Sequence, residues 1–494
     1  MDRDVGWLEF NCRVLAEATD VRTPLLERAK FLAIFSANLD EFFMKRMALL
    51  QDRTEEAALQ RLAMIRAHIR KLMAEQDEYF RTGLVPELST YGVHLRHWHE
   101  LTPGQREEAS LRFDNQVSPA LTPLIIHPSQ PFPFFSNLSL SLTFTLRDDR
   151  TNEVFDARVK VPNELPQWLR LSVDVPAREH VFVRLHEVIR ENAEKLYAGM
   201  SLSDAALFRV TAEVEFDGDE DENVREVVTE QIRQRRFEPV VRLQLAEGAT
   251  PGMAQLLSTH FQLQDEDVYR CAGELDYANL FELAVLDLPA LRDAPWEPRV
   301  PVRLQEEDDI FATVRAGDVL VHHPYESFEH SVERLIDAAA RDPRTVAIKM
   351  TVYRVGDDTP FVRSLIRAAE MGKQVACVIE LKARFDEARN LHWASELGRA
   401  GAHVNVGDLR LKTHAKNGPR RAQGRRRAAL LRASRHRQLS RQDRAALHGH
   451  QPADVRRRDH RRRGLSVPSL DRAFGASRLT DGVGGAGDDA PGLP

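Results

Sequence analysis

Residues 345–416 contain the alternation that decides the fold. "TVAIKMTVYR" (345–354) and "KQVACVIELKARF" (373–385) are short apolar runs rich in Val and Ile, the composition of strands. Between them lies "FVRSLIRAAEM" (361–371), preceded by Thr359-Pro360 as N-cap and first helical residue and stopped at Gly372. "DEARNLHWASELGRAG" (386–401) is a second helix ending in Gly, and "AHVNVGDLRLKTHAK" (402–416) carries the next extended segment or segments. The order β-α-β-α-β predicts a parallel sheet with helices packed on it.

Three charged residues recur within this block at one interval, Arg354, Arg384 and His414, with gaps of 30 and 30 residues. That interval is the length of one strand, helix and return. If each unit contributes a parallel strand, all three emerge near the carboxyl edge of the sheet, where open α/β sheets bind ligands. Two guanidinium groups and an imidazole there suit a polyanion, because the guanidinium fork matches phosphate oxygens. Around the histidine, Leu409, Leu411, Thr413 and Ala415 alternate with Arg410, Lys412, His414 and Lys416, so one face is mostly apolar and the other a row of cations. Neighbouring positive charge favours the neutral, nucleophilic imidazole, and the same cations would steady a transferred phosphoryl group. Taken singly, the residues also fit a solvated strand edge and a surface salt-bridge network. Metal ligation by His414 does not fit, since no second His or Cys stands at ligand spacing.

Upstream, residues 5–95 carry Leu, Phe, Ile and Met at three- and four-residue intervals, which predicts two or three long helices. Asn38, in "IFSANLDEFFMKR", reads as a helix-surface or interhelical amide. From 96 to 300 the period shortens to two in "SNLSLSLTFTLRD", "DARVKVPN" and "VFVRLHEVI", and "LRDAPWEPRVPVRL" (291–304) marks a linker. The expected fold is therefore multidomain α+β, with a helical domain over 1–97, a mixed α/β domain over 98–300 and an α/β domain over 301–416. Cys12, Cys271 and Cys377 fall in no paired spacing, as in a reducing compartment, most simply the cytoplasm. The start lacks the pattern of a secretory signal, and no stretch is apolar enough for a span, so any membrane association would be peripheral. No GxxxxGK[ST] loop and no HRD or DFG element is present.

The chain changes character after Lys416. Of its 494 residues, 417–494 hold 18 Arg and 7 Asp but no Lys or Glu, about +11 formally against -17 for the rest, with Phe474 the only aromatic residue. This segment is expected to be disordered and to form no packed fourth domain.

The motifs together closely resemble the bacterial polyphosphate kinases of type 1. The likeness is carried by "WLEFNCRVLAEA", "FLAIFSANLDEFF", "PFPFFSNLSLSL", "HHPYESFEHSVERLIDAAARDP", "VAIKMTVYR", "VIELKARFDEARN" and "LKTHAK", in order from about residue 5 to 416. It implies a helical N-terminal domain, a head domain and phospholipase-D-like catalytic domains, the first of them incomplete here and the second absent. It also implies reversible transfer of the terminal phosphate of ATP to inorganic polyphosphate through a phosphohistidine. By match of motif, His414 is the phosphorylated histidine, Asn38 the nucleotide-base contact, and Arg354 and Arg384 the magnesium and phosphate subsite. A guanidinium cannot ligate Mg2+, so we read these arginines as phosphate clamps beside the ion. Homo-oligomerisation as a dimer or tetramer follows from the same resemblance, with no specific nucleic-acid partner.

The sequence departs from the family pattern at Arg410 and at Glu238-Pro239, in each case where a Gly is usual, and begins slightly late. After Lys416 the family's further tyrosine, arginine and histidine find no match. A translation leaving the family's reading frame at this point accounts for the Arg surplus, and the chain as it stands is expected to be impaired or inactive. The alternative reading is a non-catalytic binder of polyphosphate or nucleic acid using the basic segment. A phospholipase-like phosphodiesterase fits less well, because the Asp it needs five residues after the Lys is replaced by Arg421.

Overall fold

The computed structural model describes residues 2–51, 55–126, 135–213, 238–305, 309–353, 359–381, 386–406, 416–422 and 429–435. The chain forms two compact units, one from residues 1–217 and 231–296, the other chiefly from 297–445. The division falls inside the proline-marked stretch 291–304.

The first unit opens with α1 (Arg3–Thr19), α2 (Leu25–Phe42) and α3 (Glu56–Tyr79). Asp2 caps α1, its carboxylate accepting from the N–H groups of Asp4 and Val5 at 2.9 and 3.2 Å. These are donors that a helix start otherwise leaves open. Leu8 and Leu15 of α1, Leu25, Ala29, Leu32 and Phe35 of α2, and Ile65, Ile69 and Leu72 of α3 are buried, so each helix turns one apolar stripe inward. Their core continues into Trp168, Phe182, Val241, Tyr269 and Tyr277.

Two sheets follow within this unit. The strands are β1 (Val93–Arg96), β2 (Leu124–Ile126), β3 (Leu140–Asp148), β4 (Val154–Lys160), β5 (Trp168–Leu171), β6 (His180–Arg184), β7 (Met200–Ala212), β8 (Val240–Ala246) and β9 (Val268–Cys271). They pair in the orders β1-β6-β5 and β2-β4-β3-β7-β8-β9. Helix α4 (Pro103–Arg112) begins with a reciprocal cap between Thr102 and Gln105. The mixed α/β reading of this region thus corresponds to one small and one larger sheet with short helices.

Helix α2 is fastened to the larger sheet through Asp40. Its carboxylate accepts from Arg209 Nη1 and Nη2 of β7 at 2.9 and 2.7 Å and from Arg242 Nη2 of β8. All three side chains are buried, and Arg242 also lies 4.1 Å from the ring centroid of Phe43. Burial by itself would raise the Asp40 carboxyl, but the two guanidinium groups outweigh it and hold the group below the usual carboxylate range.

The second unit contains α5 (Ile310–Ala316), α6 (Arg334–Arg341), β10 (Thr345–Val352), α7 (Pro360–Glu370), β11 (Gln374–Ile379), α8 (Glu387–Arg399), β12 (His403–Asn405), β13 (Lys416–Ala422) and β14 (Ala429–Arg435). Its five-stranded sheet has the order β12-β11-β10-β13-β14. β10, β11 and β12 are parallel, with Val352 opposite Ile379 and Val378 opposite Asn405. Phe361, Val362, Leu365 and Ala368 of α7 and Ala394 and Leu397 of α8 are buried, as are Val375, Cys377 and Ile379 of β11. Lys373 donates to the carbonyls of Ala339 and Asp342 at 3.1 and 2.5 Å, placing a cation at the C-terminal end of α6.

The β-α-β-α-β order is met by β10, α7, β11, α8 and β12, and the sheet continues beyond it. The parallel order ends with β12, because β13 runs antiparallel to β10, with Ile348 opposite Arg420. Regular structure also does not stop at Lys416, since β13 and β14 pair antiparallel from Lys416–Arg435 to Ala422–Ala429. The ladder explains both: its bonds join backbone groups, so an Arg-rich segment can cover the open side of β10 without any apolar rhythm. Among the described residues, no helix is long and apolar enough to cross a membrane.

Asp40→Asn leaves two buried arginines short of their counter-charge, and is expected to cost the first unit about 3–5 kcal/mol in urea unfolding. The Asp40 carboxyl is depressed in the folded chain. Its stabilisation is therefore complete above the usual carboxylate range and fades as pH falls through the folded value. The acid limb of the Tm–pH profile should be shallower in the variant; an equally steep limb would remove Asp40 as its cause.

Candidate active site

The carboxyl edge of the second unit's sheet is built by the ends of four strands. β10 and β11 finish side by side at Val352 and Ile379, and β12 finishes beside β11 at Asn405. Because β13 is antiparallel to β10, its first residue, Lys416, lies on the side where β10 ends. A parallel strand would have reached that edge with its last residue, whereas β13 reaches it with its first.

One buried amide ties this edge together. Asn390, in the first turns of α8, is fully buried, and its Nδ2 donates to the carbonyls of Tyr353 at 2.8 Å and Glu380 at 2.9 Å. The N–H of Glu380 in turn donates to the carbonyl of Val352 at 2.9 Å. Strand ends leave carbonyls without ladder partners, and burying them unpaired is costly. A single side chain thus satisfies one carbonyl just past each of two adjacent strands and sets the helix against both. Glu380, whose carbonyl it binds, and Glu387, three residues before it, are buried as well, 1 % exposed each.

The segments that continue from this edge carry three of the four predicted site residues. Arg354, Arg384 and His414 themselves lie outside the described residues. Their described chain neighbours are Tyr353, Leu381, Val406 and Lys416, at the ends of β10, β11 and β12 and the start of β13.

Asn38 lies in the first unit, half-buried on α2, and its Nδ2 donates to Oδ1 of Asn11 on α1 at 3.0 Å. Asn11 is fully buried and passes the chain on, its own Nδ2 donating to the Phe35 carbonyl at 3.1 Å. Asn38 is therefore an interhelical amide in a fixed position, two residues from the anchored Asp40.

Neither buried thiol is placed for nucleophilic work. Burial pushes Cys271 and Cys377 up to about 12, which keeps both protonated near neutrality. Among the described residues, no group of three His, Cys, Asp or Glu side chains is gathered to hold a metal ion.

Three models of one family match the chain in order: the polyphosphate kinase N-terminal domain over residues 1–96, the middle domain over 104–283 and C-terminal domain 1 over 309–427. Over most of its length the chain is homologous to the polyphosphate kinases. It is 41% identical to a polyphosphate kinase of Thermosynechococcus vestitus over 455 residues, 84% of this chain and 62% of the relative. A polyphosphate kinase of Mycobacterium marinum is 42% identical over 436 residues, 84% of this chain and 59% of that protein. The crystal structure of polyphosphate kinase from Porphyromonas gingivalis superposes with a TM-score of 0.71 at 26% identity, covering 87% of this chain and 62% of that one. The chain thus spans about three-fifths of the length of the polyphosphate kinases it matches. The family match runs past Lys416 to residue 427, through β13 and short of β14.

Sequence reasoning overlooked Asp40 and Asn390, although both stand inside quoted motifs. The available signal was chemical: an Asn within an apolar helical stripe is a poor helix former and needs a partner. Asn390→Ala removes the donor for two carbonyls and is expected to lower the stability of the second unit by about 2–4 kcal/mol. Urea unfolding followed by hydrogen exchange at 345–400 would read it, and a loss under half a kcal/mol would show that water replaces the amide.

Proposed function

We propose that the chain acts in the reversible transfer of the γ-phosphate of ATP to inorganic polyphosphate. The observation that carries this reading is the common edge: the segments holding Arg354, Arg384 and His414 all join strand ends on one side of the sheet, in a chain homologous to the polyphosphate kinases. A nitrogen of His414 attacks the γ-phosphorus, the bond to the β,γ-bridging oxygen breaks, and ADP leaves with that electron pair. The terminal oxygen of a polyphosphate chain then attacks the phosphorus, the P–N bond breaks and the imidazole returns neutral. Arg354 and Arg384 grip equatorial phosphate oxygens as bidentate donors. Asn38, steadied by Asn11, offers its remaining amide groups to the adenine base.

Magnesium belongs to this proposal as an ion carried by the phosphates. When bound, it would offset negative charge on the phosphates during transfer. Association of like chains and a cytoplasmic setting are part of the same reading.

We further propose that the composition change after Lys416 marks a departure from the family's reading frame and impairs turnover. The absence of Lys and Glu from 417–494 beside 18 Arg supports it. The nucleotide sequence around codon 417 tests it: a single-base change restoring family-like residues is expected, and an uninterrupted frame giving the present residues in close relatives would refute it. The second reading, polyanion binding through the basic segment, is favoured by its charge of about +11. It predicts salt-sensitive polyphosphate binding that is lost in a 1–416 chain.

Incubation with γ-labelled ATP and Mg2+ tests the phosphohistidine. An acid-labile, alkali-stable protein label that is absent in His414→Ala is expected, in excess over polymer formed. Label that survives the substitution, or polymer made without labelled protein, would sink the assignment of His414.

A further inference from the structure

We propose that the first unit carries a binding site for the phosphate groups of a small polyphosphorylated molecule. The site is a pocket of about 440 Å³ between the end of β5, the loop 172–179 and the last residue of α4. This volume lies in the range of small-ligand sites. The proposal does not rest on the chemistry assigned to the second unit.

Three arginines line the pocket, Arg112, Arg170 and Arg178. The carboxylates nearby already have partners. Glu108 accepts from Arg112 at 2.5 Å and from the N–H groups of Ser172 and Val173 at 2.8 Å. Glu179 faces His94 Nε2 at 3.0 Å, and Asp174 accepts from the Thr102 hydroxyl at 2.6 Å. Arg170 and Arg178 are exposed and have no carboxylate partner among the described residues. The charge of Arg170 is felt by His180, whose imidazole is held below its ordinary value by burial first and by Arg170 second.

The backbone gives a separate reason. The Glu179 N–H donates to the Pro176 carbonyl at 3.0 Å, which closes a turn with Arg178 as its third residue at φ 81°. That position of a type II turn ordinarily takes Gly. A large side chain held in the left-handed region is strained, and such outliers gather at ligand sites. Arg178 is one of three arginines that line the pocket. Val175, Pro176 and Ala177 add an apolar wall, so the phosphates could come from a short phosphate chain or from a nucleotide.

Hydrogen exchange on the full chain tests the site, with tripolyphosphate, ATP and adenosine as separate probes. Backbone amides of 170–180 are expected to exchange more slowly with tripolyphosphate or ATP and not with adenosine. Protection by both phosphates assigns the anion alone; protection by ATP only assigns a nucleotide that also uses the apolar wall. The double variant R170Q/R178G should need at least about tenfold more probe for the same protection. Arg178→Gly alone should weaken protection while leaving Tm unchanged or higher, because Gly is at ease in that turn. No slowing at 170–180 with either phosphate probe, slowing by adenosine alone, or slowing that persists unchanged in the double variant would overturn the proposal.

Discussion

Asp40 sits buried between Arg209 and Arg242, and the first unit is organised by that fact. A lone carboxylate in this place would be driven to take up a proton, and two lone arginines would repel each other. Arg209 also faces Asp276 at 3.6 Å, and Arg242 meets the face of Phe43 and the hydroxyl of Thr211, which help to accommodate the second guanidinium. The arrangement fixes both the rotation of α2 and its position over β7 and β8, because three side chains from three elements must meet at hydrogen-bonding distance. Asn38, held by Asn11, takes its position from the same helix.

The second unit reaches order by different means. Its parallel core is assembled by helices that cross back over the sheet, and the Asn390 amide closes the place where β10 and β11 run out. The remaining open side of β10 is covered by an antiparallel pair whose side-chain composition is unlike that of a core strand. A central strand with unpaired N–H and C=O groups accepts a backbone partner with little regard to its side chains. The Arg-rich sequence entering at Lys416 can serve that purpose.

Much of this was legible in the sequence. Period and punctuation located α1 to α3, the alternating strands of the middle region and the order β10, α7, β11, α8, β12. Each signal was local, arising within ten to twenty residues from burial of one face and from punctuation such as Thr359-Pro360 and Gly372. The strand pair β13 and β14 was not legible, since its composition carries no amphipathic pattern. Asp40 and Asn390 were also missed in their roles. Their partners lie far along the chain at 209 and 242, or are backbone carbonyls, which leave no trace in residue type.

By itself the sequence determined the helices and strands that carry a periodic pattern and the 30-residue spacing of Arg354, Arg384 and His414, along with the motifs that tie the chain to the polyphosphate kinases. These follow from local periodicity and residue chemistry, which need no knowledge of distant neighbours. Only the tertiary structure decided that β13 approaches the carboxyl edge of the sheet with its start, that a buried asparagine ties two strand ends together, and that an aspartate on α2 anchors the helical layer to the sheet. Strand direction and buried polar pairing depend on which backbone groups remain unpaired once the other elements have packed, and that is settled in three dimensions.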